Sequence, residues 1–215
     1  MPVLTELQND VLRRFFAARR DFFLTGGAAL AGFHLHHRKT HDLDLFTTAD
    51  VLDDGERTLE EVARELGVEF ETVTRSSTFR RFILKSSEEG LVVDLVRDDA
   101  PQVRDKETFG SIIVDSVEEI LANKLCALLS RTEVRDLVDV AALAGAGYDP
   151  VASVSLAQRK DAGMAPAQLA WVLSTFPIPE DASLLYGFSR YQLVDFRDRF
   201  VQKLADLAFP SQPTP

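Results

Sequence analysis

The sequence predicts an α+β region of about the first 115 residues, followed by an all-helical remainder, and three observations carry that reading. Short apolar or alternating runs, the mark of strands, interleave with helical spacing between residues 22 and 114. From Ser116 onward every periodic segment is helical. A strand runs into Gly26-Gly27 and a helix opens at once, the layout of a chain that mixes both element types around one turn. The boundary falls at Asp115/Ser116, giving regions 1–115 and 116–215. No Pro- or Gly-rich linker marks it, so the two are expected to pack closely.

Taken in order, Thr5 to Arg19 carries Leu7, Val11, Leu12, Phe15 and Phe16 at helical spacing. Phe22 to Thr25 reads as a strand and Ala28 to Leu35 as the helix after the glycine turn. Leu43, Leu45 and Phe46 alternate with Asp42 and Asp44, a strand signature. Asp53 to Leu66 is helical, with Leu59, Val62, Ala63 and Leu66 on one side. Val68 to Val73, Thr78 to Lys85 and Leu91 to Val96 read as three strands, the last two joined by a Glu88-Glu89-Gly90 turn. Asp98 to Gly110, with Pro101, reads as a polar loop, and Ile112 to Val114 as a short strand. Ser116-Val-Glu-Glu119 is a capping box ahead of the helix Ile120 to Leu129. Thr132 is placed to cap a helix through Leu143. Helical segments follow Pro150, ending with Tyr191 to Leu207, and the closing FPSQPTP is expected to fray.

The bulk numbers exclude several classes. The longest apolar runs fall well short of the ~20 residues that span a bilayer, and the start MPVLTELQND has no signal-peptide pattern. Cys126 is the only cysteine, so no intrachain disulfide can form, and a reducing cytoplasm is expected. The net charge of −10 argues against coating nucleic acid through bulk charge. Locally, Arg75, Arg80, Arg81 and Lys85 form an acid-free basic segment, either a nucleic-acid patch or cations guarding a strand edge.

The chemistry concentrates between residues 22 and 47. Glycine permits close backbone approach to a ligand, and a helix start offers unpaired N–H groups, so Gly26 and Gly27 suit a phosphate. No Gly-Lys-Ser/Thr follows, which excludes a P-loop. Asp42 and Asp44 share one face of a strand, their Cα atoms ~6.6 Å apart. Two carboxylates at ~5 Å repel by roughly 3 kcal/mol at an effective dielectric of 20. A divalent cation removes that cost, and Mg²⁺ favours carboxylates beside substrate phosphates. Asp94 interrupts the apolar run Leu91-Val-Val-Asp-Leu-Val96, where an acid is costly unless paired or coordinated. It is either a third metal ligand and base or the partner of Arg81 or Arg97.

Gly26-Gly27, a helix, Asp42-Leu-Asp44-Leu and then Leu-Val-Val-Asp94-Leu together resemble the polymerase-β-type nucleotidyltransferase signature. His37-Arg38-Lys39-Thr40 before the acidic pair, Ala122-Asn-Lys124 to Arg131, and Arg135-Asp136-Leu-Val-Asp139 make the chain similar to the AbiEii/AbiGii-type toxin nucleotidyltransferases. The resemblance covers roughly residues 20 to 145. It implies a polymerase-β-like mixed sheet with flanking helices, then a helical domain. It implies transfer of a nucleoside monophosphate from an NTP such as ATP, with Mg²⁺ or Mn²⁺ on Asp42, Asp44 and Asp94. Gly26, Gly27, Arg38, Thr40 and Lys124 are the expected nucleotide contacts. A lysine matching Lys124 and an aspartate matching Asp136 or Asp139 are needed for activity in some relatives. Some relatives modify tRNA, and many are toxins with a cognate antitoxin. Gly27 stands where many relatives carry serine, which removes one hydroxyl contact to phosphate.

Beside the resemblance, Lys124 and Arg131 are seven apart and share a helix face, either to meet a triphosphate or to face solvent. Arg135, Asp136 and Asp139 can equally form local ion pairs. His34, His36, His37 and His41 lie within eight residues but lack the cysteine or compact ligand set of a zinc site; Arg38 is the better anion contact. Two alternatives stand beside RNA modification: a non-catalytic module of this fold that binds nucleotide or partner, and a transferase with a small-molecule acceptor.

Overall fold

The computed structural model describes residues 3–131, 133–180 and 187–210. Thr132, expected as a helix cap, and the chain end from residue 211 lie outside the described residues. The chain divides into two compact units, one of residues up to Ala100 with Arg104–Ser116, the other of Pro101–Val103 with Val117 onward.

The first unit opens with α1 (Glu6–Ala18). Thr5 and Gln8 cap it reciprocally: the Gln8 N–H donates to Thr5 Oγ1 at 3.2 Å and the Thr5 N–H to Gln8 Oε1 at 2.8 Å. Val11, Leu12, Phe15 and Phe16 form its fully buried stripe, and Phe22 meets Phe15 edge-on at 5.3 Å. β1 (Phe23–Thr25) leads into α2 (Gly26–Ala29), which continues as a π-helical turn over Leu30–Leu35. The helix therefore begins at the glycines themselves, two residues before the expected start. β2 (Asp42–Thr47) follows, then α3 (Leu52–Leu66).

Five more strands complete the sheet: β3 (Glu69–Arg75), β4 (Phe79–Lys85), β5 (Gly90–Arg97), β6 (Lys106–Phe109) and β7 (Ile112–Asp115). Their order is β3-β4-β5-β2-β1-β7-β6. The sheet is mixed, since β2 runs parallel to β5 and β1 parallel to β7 while the other pairs are antiparallel. Leu43 and Leu45 of β2 are fully buried, whereas Asp42 and Asp44 on the other face are half-buried. Alternation thus sorts the leucines to the core and the acids to the opposite face.

β6 corrects the expected loop from Asp98 to Gly110. Its sequence, Lys-Glu-Thr-Phe, has no apolar period, and it is held as an edge strand by its ladder to β7. The Ser86–Glu89 turn closes the β4–β5 hairpin, with the Ser86 N–H donating to Glu89 O at 2.9 Å, and Gly90 already belongs to the strand.

In the second unit the described elements are helices: α4 (Val117–Ser130), α5 (Val134–Gly145), α6 (Val154–Lys160), α7 (Pro166–Ser174) and α8 (Arg190–Ala208). Glu119 of α4 is fully buried; it accepts the Val103 N–H at 2.8 Å and pairs with Lys160. Lys160 also donates to Pro101 O at 3.0 Å. These bonds account for the three residues 101–103 belonging to this unit. No described helix is long and apolar enough to cross a membrane.

Candidate active site

The site is a row across the sheet. Asp44 of β2 is in register with Asp94 of the parallel β5, with Thr25 of β1 on its other side, and Arg81 of β4 lies opposite Asp94. Residues in register on neighbouring strands point to the same face, so Thr25, Asp44, Asp94 and Arg81 line one face together. Asp42 joins them two residues along β2.

The glycine turn meets this row from above. Gly26 has φ of +66°, a left-handed conformation, and a Cβ placed on it would run into the Asp44 carboxylate. The absent side chain is what lets Asp44 lie against the helix start. At Gly27 a Cβ would stand 2.7 Å from Arg38 Nη2 and 3.5 Å from Thr40 Oγ1. A serine here would thus crowd the guanidinium, and the Thr40 hydroxyl stands near the place that such a side chain would take. Thr40 Oγ1 donates to Asp42 Oδ1 at 2.9 Å, while Gln8 Nε2 donates to Thr40 O at 3.1 Å and fixes the loop to α1. Gly26, Gly27, Arg38, Thr40, Asp42 and Asp44 are therefore brought together, and Asp94 with them through the sheet register.

Asp94 is also bound. Arg81 Nε and Nη2 donate to its two oxygens at 2.8 and 2.7 Å, the fork geometry of arginine on a carboxylate. The bond to Asp94 holds the Arg81 pKa above its ordinary value against partial burial, and the charges of Asp44 and Asp42 add to the rise. Of the two readings of Asp94, ligand or ion-pair partner, the geometry shows the pair directly and the ligand role only as proximity. Among the described residues no three acidic or imidazole side chains already stand as a finished metal cage. The donor set still suits a divalent cation: hard carboxylate oxygens from adjacent strands, one carboxylate pressed on a glycine backbone.

The basic segment resolves differently. Arg75 and Arg80 pair with Glu56 of α3, Arg80 also with Asp53, and Lys85 with Glu71 of β3. Of the four, Arg81 is the one placed opposite an acid of the row, while Lys85 lies on the same face four residues along β4. Sequence reasoning named it only within that segment and as one partner for Asp94. Counting outward from the β4–β5 turn would have placed it opposite Asp94.

The histidines are local. His34 Nε2 donates to Asp115 O at 2.9 Å with its ring edge-on to Phe109. His36 adopts the left-handed conformation after the π turn and donates from Nδ1 to Ala31 O at 3.1 Å. His41 is exposed.

In the second unit, Lys124 of α4 is buried and bridges Asp136 at 2.8 Å and Asp139 at 2.7 Å, both on α5 and both fully buried. Arg131 binds Asp136 through Nε at 2.9 Å. Burial pushes the Lys124 pKa down, but Asp139 and Asp136 outweigh it and the net shift is up. Burial likewise pushes Asp136 up, and Lys124 with Arg131 outweigh it and hold it below its ordinary value. Both candidate aspartates thus engage Lys124, and Asp136 binds Arg131 as well.

A family model described as nucleotidyl transferase AbiEii toxin, type IV toxin–antitoxin system, matches residues 10–210. The chain belongs to the AbiEii nucleotidyltransferase toxin family. This AbiEii protein is accordingly a nucleotidyltransferase. It is similar in fold to a putative nucleotidyltransferase from Helicobacter pylori (TM-score 0.62, 18% identity, 95% of this chain and 99% of that one). It is also similar to JHP933 from Helicobacter pylori (TM-score 0.60, 20% identity, 94% and 92%). A third likeness is to MenT4, a nucleotidyltransferase toxin from Mycobacterium tuberculosis (TM-score 0.60, 17% identity, 95% and 82%). No curated protein matches the AbiEii chain by sequence.

Proposed function

We propose that this nucleotidyltransferase is metal-dependent and transfers a nucleoside monophosphate from an NTP to the 3′ end of an RNA, with tRNA as the acceptor and a cognate antitoxin as its protein partner in the cytoplasm. The observation that carries the reading is the Asp44–Asp94 register with Gly26 pressed on Asp44. Asp42, Asp44 and Asp94 are the residues to hold Mg²⁺ or Mn²⁺. That ion, when bound, supplies charge to the phosphates and acidity to the attacking hydroxyl.

The chain's own residues do the rest. Gly26 leaves room for the Asp44 carboxylate at the helix start, and Gly27, with Arg38 and Thr40 beside it, is where triphosphate oxygens approach. An acceptor hydroxyl oxygen forms a bond to the α-phosphorus, the bond from that phosphorus to the β-bridging oxygen breaks, and pyrophosphate leaves. The hydroxyl proton passes to an Asp94 oxygen once the Arg81 fork on that carboxylate has opened, and the sheet holds Asp94 in register with Asp44. In the helical unit, Lys124 and Asp136 are the residues assigned to activity, with Arg131 fixed on Asp136 as the more exposed cation.

Each NTP labelled at the α-phosphate, incubated with the protein, Mg²⁺ or Mn²⁺ and total tRNA, tests this. Label on tRNA that disappears with EDTA supports it. Pyrophosphate release without labelled RNA redirects the acceptor to a small molecule. Transfer that persists in EDTA refutes metal dependence.

A further inference from the structure

The cation that holds Asp94 is unevenly placed. The Asp94 side chain is 8% exposed while that of Arg81 is 46% exposed. The acid is fixed within β5, and the guanidinium reaches it from the solvent side. Arg81 rests 5.4 Å from the Phe79 ring, two residues earlier on the same strand, while it holds Asp94, so the guanidinium keeps an aromatic contact besides its acid. Its backbone is locked in the ladder between β3 and β5, so only the side chain has to move for Asp94 to change partners.

Charge points the same way. Beyond Asp94 in the row stands Asp44, and Asp42 lies two residues along the strand. All three acids act on Arg81, with Asp94 the strongest. Both Asp94 oxygens are engaged by the fork, and a carboxylate so engaged offers little to a metal ion. A divalent cation drawn to Asp42 and Asp44 meets a third ligand already taken by a basic side chain of the same sheet.

We propose that Arg81 is the resident counter-ion of Asp94, which a divalent cation must displace, and that Arg81 thereby sets how tightly the sheet acids take metal before nucleotide arrives. This rests on the metal-dependent reading above, and deepens it by assigning Arg81 as a positioning residue that no chemical step uses directly.

The test is a Mn²⁺ titration of the full chain without nucleotide, with free Mn²⁺ read by electron paramagnetic resonance. Removing the fork in Arg81→Ala frees both Asp94 oxygens, and Mn²⁺ is expected to bind about tenfold tighter than in the parent, the worth of a ~1.4 kcal/mol competitor. Arg81→Lys keeps the charge but not the two-pronged fit, and is expected about threefold tighter. Mn²⁺ should also raise the melting temperature of Arg81→Ala more than that of the parent, because binding to the folded state stabilises by mass action. Unchanged or weaker Mn²⁺ binding in Arg81→Ala, with binding lost in Asp44→Asn, overturns the inference and leaves the metal reading intact. Should Arg81→Ala fail to fold, Arg81→Lys decides alone, and parent-like affinity there overturns the proposal. No Mn²⁺ binding by either protein, with or without a non-hydrolysable NTP analogue, overturns the metal reading and the inference together.

Discussion

Each unit of this protein joins acids to a basic side chain, and the two arrangements differ in which partner faces water. In the helical unit an enclosed base, Lys124, is 7% exposed between two fully buried aspartates, and the exposed Arg131 only joins it on Asp136. In the sheet unit the acid is enclosed and the base is the exposed member. A buried lysine that loses its acids has nowhere to put its charge, so such a cluster is fixed. An exposed arginine can find water, so its partner is exchangeable. The first arrangement suits holding two helices, and the second suits a site that must admit something else.

The largest effect expected from testing this contrast is on catalysis. Asp44→Asn should lower nucleotidyl transfer by about 1,000-fold, the scale of losing one electrostatic stabiliser of a transition state, while the melting temperature stays near the parent's. A large melting shift instead would mean that the sheet acids are structural after all. Lys124→Ala should do the reverse to stability. Removing one partner of a buried network costs about 3–5 kcal/mol, read as a lower denaturation midpoint, and activity measured on the folded fraction then separates a chemical role from a structural one.

A smaller effect should appear with pH. The folded Asp136 pKa is depressed, so its share of stability is present above the unfolded value of about 3.9 and is lost as pH falls through the folded one. The folded Lys124 pKa is raised, so its share is present below about 10.4 and is lost as pH rises through the folded value. Thermal melts should therefore be flat through neutral pH and decline in acid, and Asp136→Asn, less stable at pH 7, should decline less. A parent-like acid limb in that variant would remove Asp136 from the account. The smallest effect belongs to Lys85→Ala, whose ion pair with Glu71 is open to water; no measurable change in melting temperature is expected.

Much of the candidate site is legible in the sequence. Asp42 and Asp44 announce themselves because period-two alternation puts Leu43 and Leu45 inward and both acids outward. Asp94 was visible as an acid in an apolar run. The neighbour relation of Asp94 and Asp44 was not, because it depends on β2 and β5 lying parallel although two strands separate them in sequence. Pairing of this kind carries no local signal. β6 escaped for a related reason: Lys106–Phe109 is a strand by virtue of its partner, not its composition. Lys124 is legible as a charge on a helix face, but its burial is not, since only the α4–α5 packing brings Asp136 and Asp139 onto it.

The three residues Pro101–Val103 carry a practical warning for anyone dissecting the molecule. The backbone enters the helical unit at Pro101, returns to the sheet unit at Arg104, and leaves it again after Ser116. A single cut near residue 116 would strip Glu119 of the Val103 amide and Lys160 of the Pro101 carbonyl. A helical fragment expressed alone should consequently be less soluble than its composition suggests, whereas one supplied with a peptide spanning residues 98–106 should regain its missing bonds.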